Sequence, residues 1–319
     1  MAAVLAMVAG ACSAGTGPPP AASAPGLSAT FVLANANGLV ALNADCRPIG
    51  RVIELDPEEA PTTPALHPDG SRIAFAVTRD SDAAGFGTDV VEVRLDGTEY
   101  RTLLEHEAEN VFYASPRYDP SGAAIYVHRR AAIIRDGAYV GNEDTIERVD
   151  IATGERRTVV RDGADPAISP DGKTMVYVKL KDSAPETLWI ATLPEGADAR
   201  PFFASGDTFF WIMTPRFAPD GARIVFSAAG RAVSRVTGTG KLAHLGVPSD
   251  LYLSPVDGSG MEVITQTGDD AIPTWSPDGT RIAYVGVGTF AIFTLADSST
   301  RVCAQGEEFF FGDPLWIRN

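Results

Sequence analysis

The phrase PTWSPDGTRIAYVG, residues 273–286, has four earlier counterparts in the chain: PALHPDGSRIAFAV from Pro64, PRYDPSGAAIYVHR from Pro116, PAISPDGKTMVYVK from Pro166 and PRFAPDGARIVFSA from Pro215. The leading prolines are 52, 50, 49 and 58 residues apart, and a further 41 residues reach Pro314 in PLWIRN. This period constrains the fold more than any other feature. One unit of that size cannot bury its own apolar faces and must stack on its neighbours, as in a propeller or a solenoid.

Each copy also dictates its local structure. In Ser276-Pro277-Asp278-Gly279, proline presets φ at the second position of a type I turn, aspartate suits the third, and glycine takes the left-handed conformation at no steric cost. That is the usual three-residue hairpin with a glycine bulge. Beyond the corner, Ile73 and Phe75, Met175 and Tyr177, Ile224 and Phe226, and Ile282 and Tyr284 alternate with small or polar neighbours, the period of a strand. The third copy departs slightly: Ile125 keeps its place, but Tyr126 falls one position early and Val127 follows. Stretches such as TDVVEVRLDGTEYRTLL, TLWIATLPEGADARPFF and DLYLSPVDGSGMEVIT supply two more strands per unit. Nowhere does a 3.6-residue apolar period persist, so the chain reads as all-β.

The ends complete the pattern. GDPLWIRN, residues 312–319, stops where an inner strand finishes, with Trp316 in the register of Trp275, while residues 29–55 hold three strands and no inner one. The expectation is a six-bladed β-propeller of four-stranded antiparallel blades over residues 29–319, closed by pairing of the C-terminal strand with the N-terminal segment. Such closure leaves only short, protected sheet edges.

The P-x-[aromatic]-S-P-D-G-x-x-I-x-[aromatic] repeat resembles the WD-like propeller repeats of the TolB family, periplasmic proteins of the Tol envelope system, across residues 29–319. The resemblance implies a propeller fold, an extracytoplasmic place in the cell envelope, and a non-catalytic binding scaffold for a protein or another envelope component. TolB proteins also carry a separate N-terminal α/β domain, which nothing before residue 29 encodes here.

The opening MAAVLAMVAGACSAG resembles a bacterial lipoprotein signal. Residues 1–11 would then be cleaved, Cys12 would receive lipid, and residues 12–28, rich in Gly, Pro, Ala and Ser, would form a flexible tether. The alternatives are an ordinary cleaved signal peptide and a disordered cytoplasmic start. A formal charge of −15 and a pI near 4.7 argue against nucleic acid and against an anionic membrane face, both of which favour basic patches. The membrane contact expected is the anchor at Cys12 alone, on a monomer. Two further cysteines, Cys46 and Cys303, form either a disulfide across the seam of the ring or two buried thiols.

Reactive constellations are sparse. Of the four histidines, His67 replaces the serine of a repeat corner, and His106, His128 and His244 show no ligand spacing. There is no G-x-S-x-G elbow and no C-x-x-C. Gly238-Thr239-Gly240-Lys241 lacks the earlier glycine of a phosphate loop, and the Asp80–Asp82 stretch lacks the closing glutamate of a calcium loop. No metal and no cofactor are expected.

The repeat itself points to a site. Inner strands surround a central channel, and the residues flanking the leading prolines converge there. Before the proline stand Asp313, Thr63, Ser115, Asp165, Thr214 and Ile272; after it stand Leu315, Ala65, Arg117, Ala167, Arg216 and Thr274. Asp165 would sit between Arg117 and Arg216, with Asp313 across the ring. Two readings follow: a polar pocket for a small anion, a peptide carboxylate or a sugar, with the arginines as forked donors, or mutual salt links that close the hole. Insertions at residues 129–142 and 229–249, both net positive, are candidate recognition loops, and Phe209 to Trp211 are candidate exposed aromatics. The alternative to a scaffold is an enzyme, a hydrolase or lyase centred on the channel, or a propeller that binds a sugar or other small molecule.

Overall fold

At each of the five corners the glycine φ lies between 68° and 75°. Its N–H donates to the carbonyl three residues earlier, from Gly70 to His67 at 2.8 Å through to Gly279 to Ser276 at 2.9 Å. These are the turns that proline, aspartate and glycine impose, and they fold each flanking pair of segments into an antiparallel hairpin. The computed structural model of the chain describes residues 28–56, 58–204, 209–231, 249–266, 271–286, 288–305 and 312–317.

The opening segment gives β1 (Phe31–Asn35), β2 (Gly38–Leu42) and β3 (Pro48–Glu54). The first full unit holds β4 (Pro61–Leu66), β5 (Arg72–Ser81), β6 (Gly85–Arg94) and β7 (Arg101–Leu104). Next come β8 (Val111–Tyr118), β9 (Ala124–Arg135), β10 (Ala138–Asp150) and β11 (Arg156–Arg161), then β12 (Gly163–Ile168), β13 (Thr174–Lys181), β14 (Ala184–Thr192) and β15 (Ala197–Pro201). The last two units are β16 (Phe209–Phe217), β17 (Arg223–Arg231), β18 (Asp250–Pro255) and β19 (Glu262–Val263), and β20 (Ile272–Trp275), β21 (Arg281–Gly286), β22 (Thr289–Thr294) and β23 (Ser299–Gln305). Strand β24 (Leu315–Trp316) ends the series, and no helix occurs among the described residues.

Four sheets have four strands each, in the orders β24-β1-β2-β3, β12 to β15, β16 to β19 and β20 to β23. The units β4–β7 and β8–β11 do not stay separate, contrary to the repeat-based expectation. A single parallel pair, Thr88 with Phe112, joins β6 to β8 and merges them into one eight-stranded sheet. The cause is local: the Asn110 N–H donates to the Phe86 carbonyl at 2.7 Å and draws the start of β8 against β6. Strand β24 lies beside β1, pairing Trp316 with Phe31 and Leu315 with Val32, and the Ile317 N–H adds a 2.9 Å bond to the Thr30 carbonyl.

Both faces of most strands are buried, so the core consists of layers between successive units. Phe75 packs toward β1–β3, Phe226 toward Val176 and Leu188, and Tyr284 toward Leu251 and Leu253. The early aromatic of the third copy is now explained. Ile125 and Val127 face the layer shared with Ala74, Val90 and Leu104 of the preceding unit, where Tyr113 and Tyr118 of the neighbouring β8 supply the aromatic volume, while Tyr126 faces Met175 and Tyr177 of the following one. Residues 129–142, expected as a loop, continue β9 and β10 as a regular ribbon that turns at Asp136 (φ 51°) and Gly137 (φ 75°), the paired left-handed residues of a type I′ turn. Cys46 and Cys303 are joined by a disulfide with Cα atoms 5.4 Å apart, which links the β2–β3 connection to β23.

Candidate functional site

Four inner strands share an irregularity at the Xaa-Pro step. The pairing register shifts between Thr62 and Ala65, Ala114 and Arg117, Ala164 and Ala167, and Met213 and Arg216. The residue before each proline is left-handed: Thr63 at φ 48°, Ser115 at 49°, Asp165 at 48° and Thr214 at 52°. A following proline normally drives its neighbour toward extended backbone, so tertiary context overrides local preference four times at one depth of the fold. Neighbouring bulges bond to one another: the Ser115 N–H donates to Thr63 Oγ1 at 3.0 Å, and the Thr214 N–H to Asp165 Oδ2 at 2.6 Å.

The bulges bring the four charged residues singled out above together. Arg117 Nη2 donates to Asp313 Oδ2 at 2.8 Å and stands 4.0 Å from Asp165 Oδ1. Arg216 donates through Nε to Asp313 Oδ1 at 2.9 Å, through Nη2 to the same oxygen, and through Nη1 to Asp165 Oδ1 at 3.3 Å. Asp313 is thus not merely opposite the other three, because both arginines span the centre to reach it. Each guanidinium also donates to the carbonyl of its preceding proline, at 2.8 Å for Arg117 and 2.6 Å for Arg216. The Trp275 indole N–H on the Arg216 carbonyl at 3.0 Å fixes that stretch of backbone.

All four side chains are nearly buried, which is tolerable only because two cations meet two anions. Burial by itself raises the Asp313 carboxyl, but the charges and hydrogen bonds of Arg117 and Arg216 outweigh it and hold the group below its ordinary value. Arg117 is the less satisfied cation: burial and the adjacent Arg216 charge pull it down, and its Nε is buried with no hydrogen-bond partner. Thr214 Oγ1, on the bulge that carries Arg216, is likewise unpartnered.

Above this cluster the corners form a funnel. A cavity of about 480 Å³ is walled by Leu66, Tyr118, Ile168, Phe217 and Trp275 with Arg117 and Arg216 in its lining, and a second of about 220 Å³ continues it to Asp313. The rim is built from stacked corners: a Cβ on Gly172, Gly221 or Gly279 would lie 3.2 to 3.6 Å from Pro120, Pro170 or Pro219 of the preceding corner. The result is an apolar throat over a polar, charge-balanced floor.

Other residues of interest play different parts. His67 lies in its corner, 2.8 Å from Asp69 and edge-on to Tyr118. His106 holds Asp89 Oδ1 through Nδ1 at 2.6 Å and the Gly85 carbonyl through Nε2 at 2.8 Å, while His128 and Arg130 share Asp144. Asp80 and Asp82 belong to the β5–β6 hairpin, and no cluster of three metal-ligating side chains occurs among the described residues. Phe209 is in the core but Phe210 is exposed, the alternation of a strand. Cys12, His244, Gly238–Lys241 and most of the 229–249 insertion lie outside the described residues. Sequence reasoning missed the ribbon, although Asp-Gly between alternating apolar residues is a hairpin signal.

With the geometry in hand, comparison with solved structures decides the architecture. TolB from Acinetobacter baumannii superposes with a TM-score of 0.63 at 15% identity, over 90% of this chain and 65% of that one. The fold is a TolB-like β-propeller. A putative TolB from Agrobacterium tumefaciens gives 0.58 at 15% identity, over 89% of this chain and 92% of that one. An oligogalacturonate lyase from Vibrio parahaemolyticus gives 0.53 at 12% identity, over 84% and 71%. At such identities the likeness is one of fold, and the propeller spans about two thirds of the Acinetobacter protein. No family model and no curated protein matches the sequence.

Proposed function

We propose that the propeller is a six-bladed, end-closed binding scaffold of the cell envelope that takes a protein or envelope component into its funnel. Contacts between inner strands support the ring, since they run β4–β8–β12–β16–β20–β24 and return from β24 to β4. The disulfide supports an oxidising, extracytoplasmic compartment. Residues 1–11 act as the signal, Cys12 as the lipid site and residues 12–28 as the tether of a monomer.

The observation that carries the binding reading is the funnel floor. Four non-glycine residues held left-handed around one centre, each costing of order 1–3 kcal/mol, are retained where Arg117, Arg216, Asp165 and Asp313 converge. The arginines arrive largely neutralised, so the floor suits a ligand that is dipolar or carries a single carboxylate rather than a polyanion. Its groups are also unsuited to proton transfer near neutral pH, being guanidiniums and an aspartate held ionised. This favours a scaffold over a hydrolase or lyase centred on the channel.

The test is crosslinking of the lipidated protein in intact envelopes. Replacing both arginines would leave two buried carboxylates unpaired, so the informative variant is Ile168→Arg, which crowds the wall shared by both cavities. The expected result is loss of the crosslinked partner with an unchanged melting temperature. A partner retained at full yield, or turnover of a polysaccharide or peptide substrate abolished by Asp313→Asn, would overturn the scaffold reading.

A further inference from the structure

The β9–β10 ribbon has no counterpart in the funnel and raises its own question. Strand β8 stops pairing with β9 at Ala131, and β11 stops pairing with β10 at Thr145. The Ala132 N–H still donates to the Asn110 carbonyl at 3.1 Å, and beyond it residues 133–142 form a two-stranded ribbon that pairs with no further strand among the described residues. From Ala131 to the tip at Arg135 it extends roughly 13 Å, at about 3.3 Å per residue. Its tip lies at the opposite end of β9 from the corner at Asp119–Gly122, so it points away from the funnel.

Its side chains are the reverse of what an isolated ribbon needs in water. Ile134 and Tyr139 are a cross-strand pair on one face, 52% and 62% exposed, and Val140, the bulged residue next to them, is 53% exposed. At the base of the ribbon Phe86, 46% exposed, stacks edge-on against Phe112, the partner of Arg130. An isolated two-stranded hairpin is marginal in water, and a cluster of exposed apolar side chains marks a surface meant to be covered.

Charge and shape select what covers it. Arg129 is held by Glu107 at 2.7 Å, Arg130 by Asp144 at 2.7 Å, and Glu143 by Arg161 at 3.1 Å. The only ionised residues left in 132–142 are Arg135 and Asp136, which cancel. The net positive charge noted for this insertion is therefore consumed internally, and an acidic partner has nothing to grip. Strand addition from another protein is disfavoured too, because the bulge between Tyr139 and Gly141 breaks the β10 edge and only a short edge of β9 is free. A convex, charge-neutral tip of Ile, Tyr and Val instead matches a bilayer interface, where tyrosine sits at headgroup level and arginine extends its guanidinium to water. The overall charge of −15 selects uncharged, zwitterionic lipid over anionic lipid. We propose that the β9–β10 ribbon is a lipid-docking finger that inserts Ile134, Tyr139 and Val140 into the interface of a neutral membrane. Insertion of this kind reaches roughly 5–10 Å into the headgroup boundary, within the length of the ribbon.

The test uses the full chain carrying Cys12→Ala, so that no acyl anchor contributes, and flotation with phosphatidylcholine vesicles. The chain is expected to co-float, and binding should persist in high salt. The triple variant Ile134→Ser/Tyr139→Ser/Val140→Ser should lose at least about tenfold in partitioning, given the transfer free energies of these groups, while melting as before. In a Tyr139→Trp variant, lipid brominated on its acyl chains should quench the added fluorescence, which reports insertion even if the triple variant folds poorly. No flotation of the Cys12→Ala chain, equal flotation of the triple variant, a requirement for anionic lipid abolished by salt, or a ribbon-dependent dimer in light scattering would each overturn the proposal. The Ile168→Arg funnel variant should float normally, which separates this site from the funnel.

Discussion

Breaking the bond between Cys46 and Cys303 should cost this propeller a large fraction of its stability. The two sulfurs are 257 residues apart in sequence, so the bond closes almost the whole described chain into one loop. In the chain-entropy model the loss for n near 257 is about 18.6 cal/mol/K, or about 5.5 kcal/mol at 25 °C, an upper value against the usual ~2–4 kcal/mol. The folded state offers little to offset it locally. Among the described residues the seam between β24 and β1 has the pairs Phe31–Trp316 and Val32–Leu315 and the Ile317–Thr30 backbone bond, and the Arg301 guanidinium donates to the Ala44 carbonyl at 3.1 Å beside the disulfide. The assay is urea unfolding of the oxidised protein, the reduced protein, Cys46→Ala, Cys303→Ala and the double variant. A fall of about 3–5 kcal/mol is expected. Because each single change breaks the same bond, either alone should cost about as much as both together. A midpoint that reduction leaves in place, or single losses that add, would refute the argument that this bond acts by closing the long loop.

Two further outcomes follow from buried charge. Asp313→Ala removes the acceptor shared by Arg117 and Arg216 and should cost about 3–5 kcal/mol, the penalty for leaving buried cations short of a partner, with Asp313→Asn costing less; a loss of under about 1 kcal/mol in urea melts would show the cluster to be water-filled and weakly coupled. His106 presents both ring nitrogens to acceptors, Asp89 Oδ1 and the Gly85 carbonyl, so the folded state favours the doubly protonated ring. Burial opposes that charge, but the bonds to Asp89 and Gly85 prevail and the folded pKa is raised. Its contribution is therefore complete below the unfolded value near 6.5 and is lost as pH rises through the higher folded value. His106→Gln should flatten that part of the stability-pH curve, and an unchanged slope would exclude His106 as its source.

Some of this was legible residue by residue. The corner residues His67 to Gly70 and Ser276 to Gly279 specify their own turn, and the alternation after them specifies a strand, since both depend on conformational preferences within four residues. Repetition then placed Arg117, Arg216, Asp165 and Asp313 at equivalent depths, and the structure brings each arginine within 4.0 Å of both carboxylates. Less legible were features where packing overrode local preference. Thr63, Ser115, Asp165 and Thr214 precede proline yet are left-handed, because interstrand bonds such as Thr214 to Asp165 reward a geometry the dipeptide disfavours. The displaced Tyr126 makes sense only once Tyr113 and Tyr118 are seen to fill the layer it vacates.

The sequence alone determined the unit: its corner, its four strands, its period and the need to stack, all properties of short segments repeated. Tertiary structure decided which repeats merge, here through Thr88 and Phe112, how two arginines divide two carboxylates, and that residues 133–142 extend as a ribbon with Ile134, Tyr139 and Val140 exposed while their flanking charges are paired. Those outcomes turn on contacts between residues tens to hundreds of positions apart. Their energies depend on distance, burial and available partners in the folded chain, quantities that no local stretch of sequence encodes.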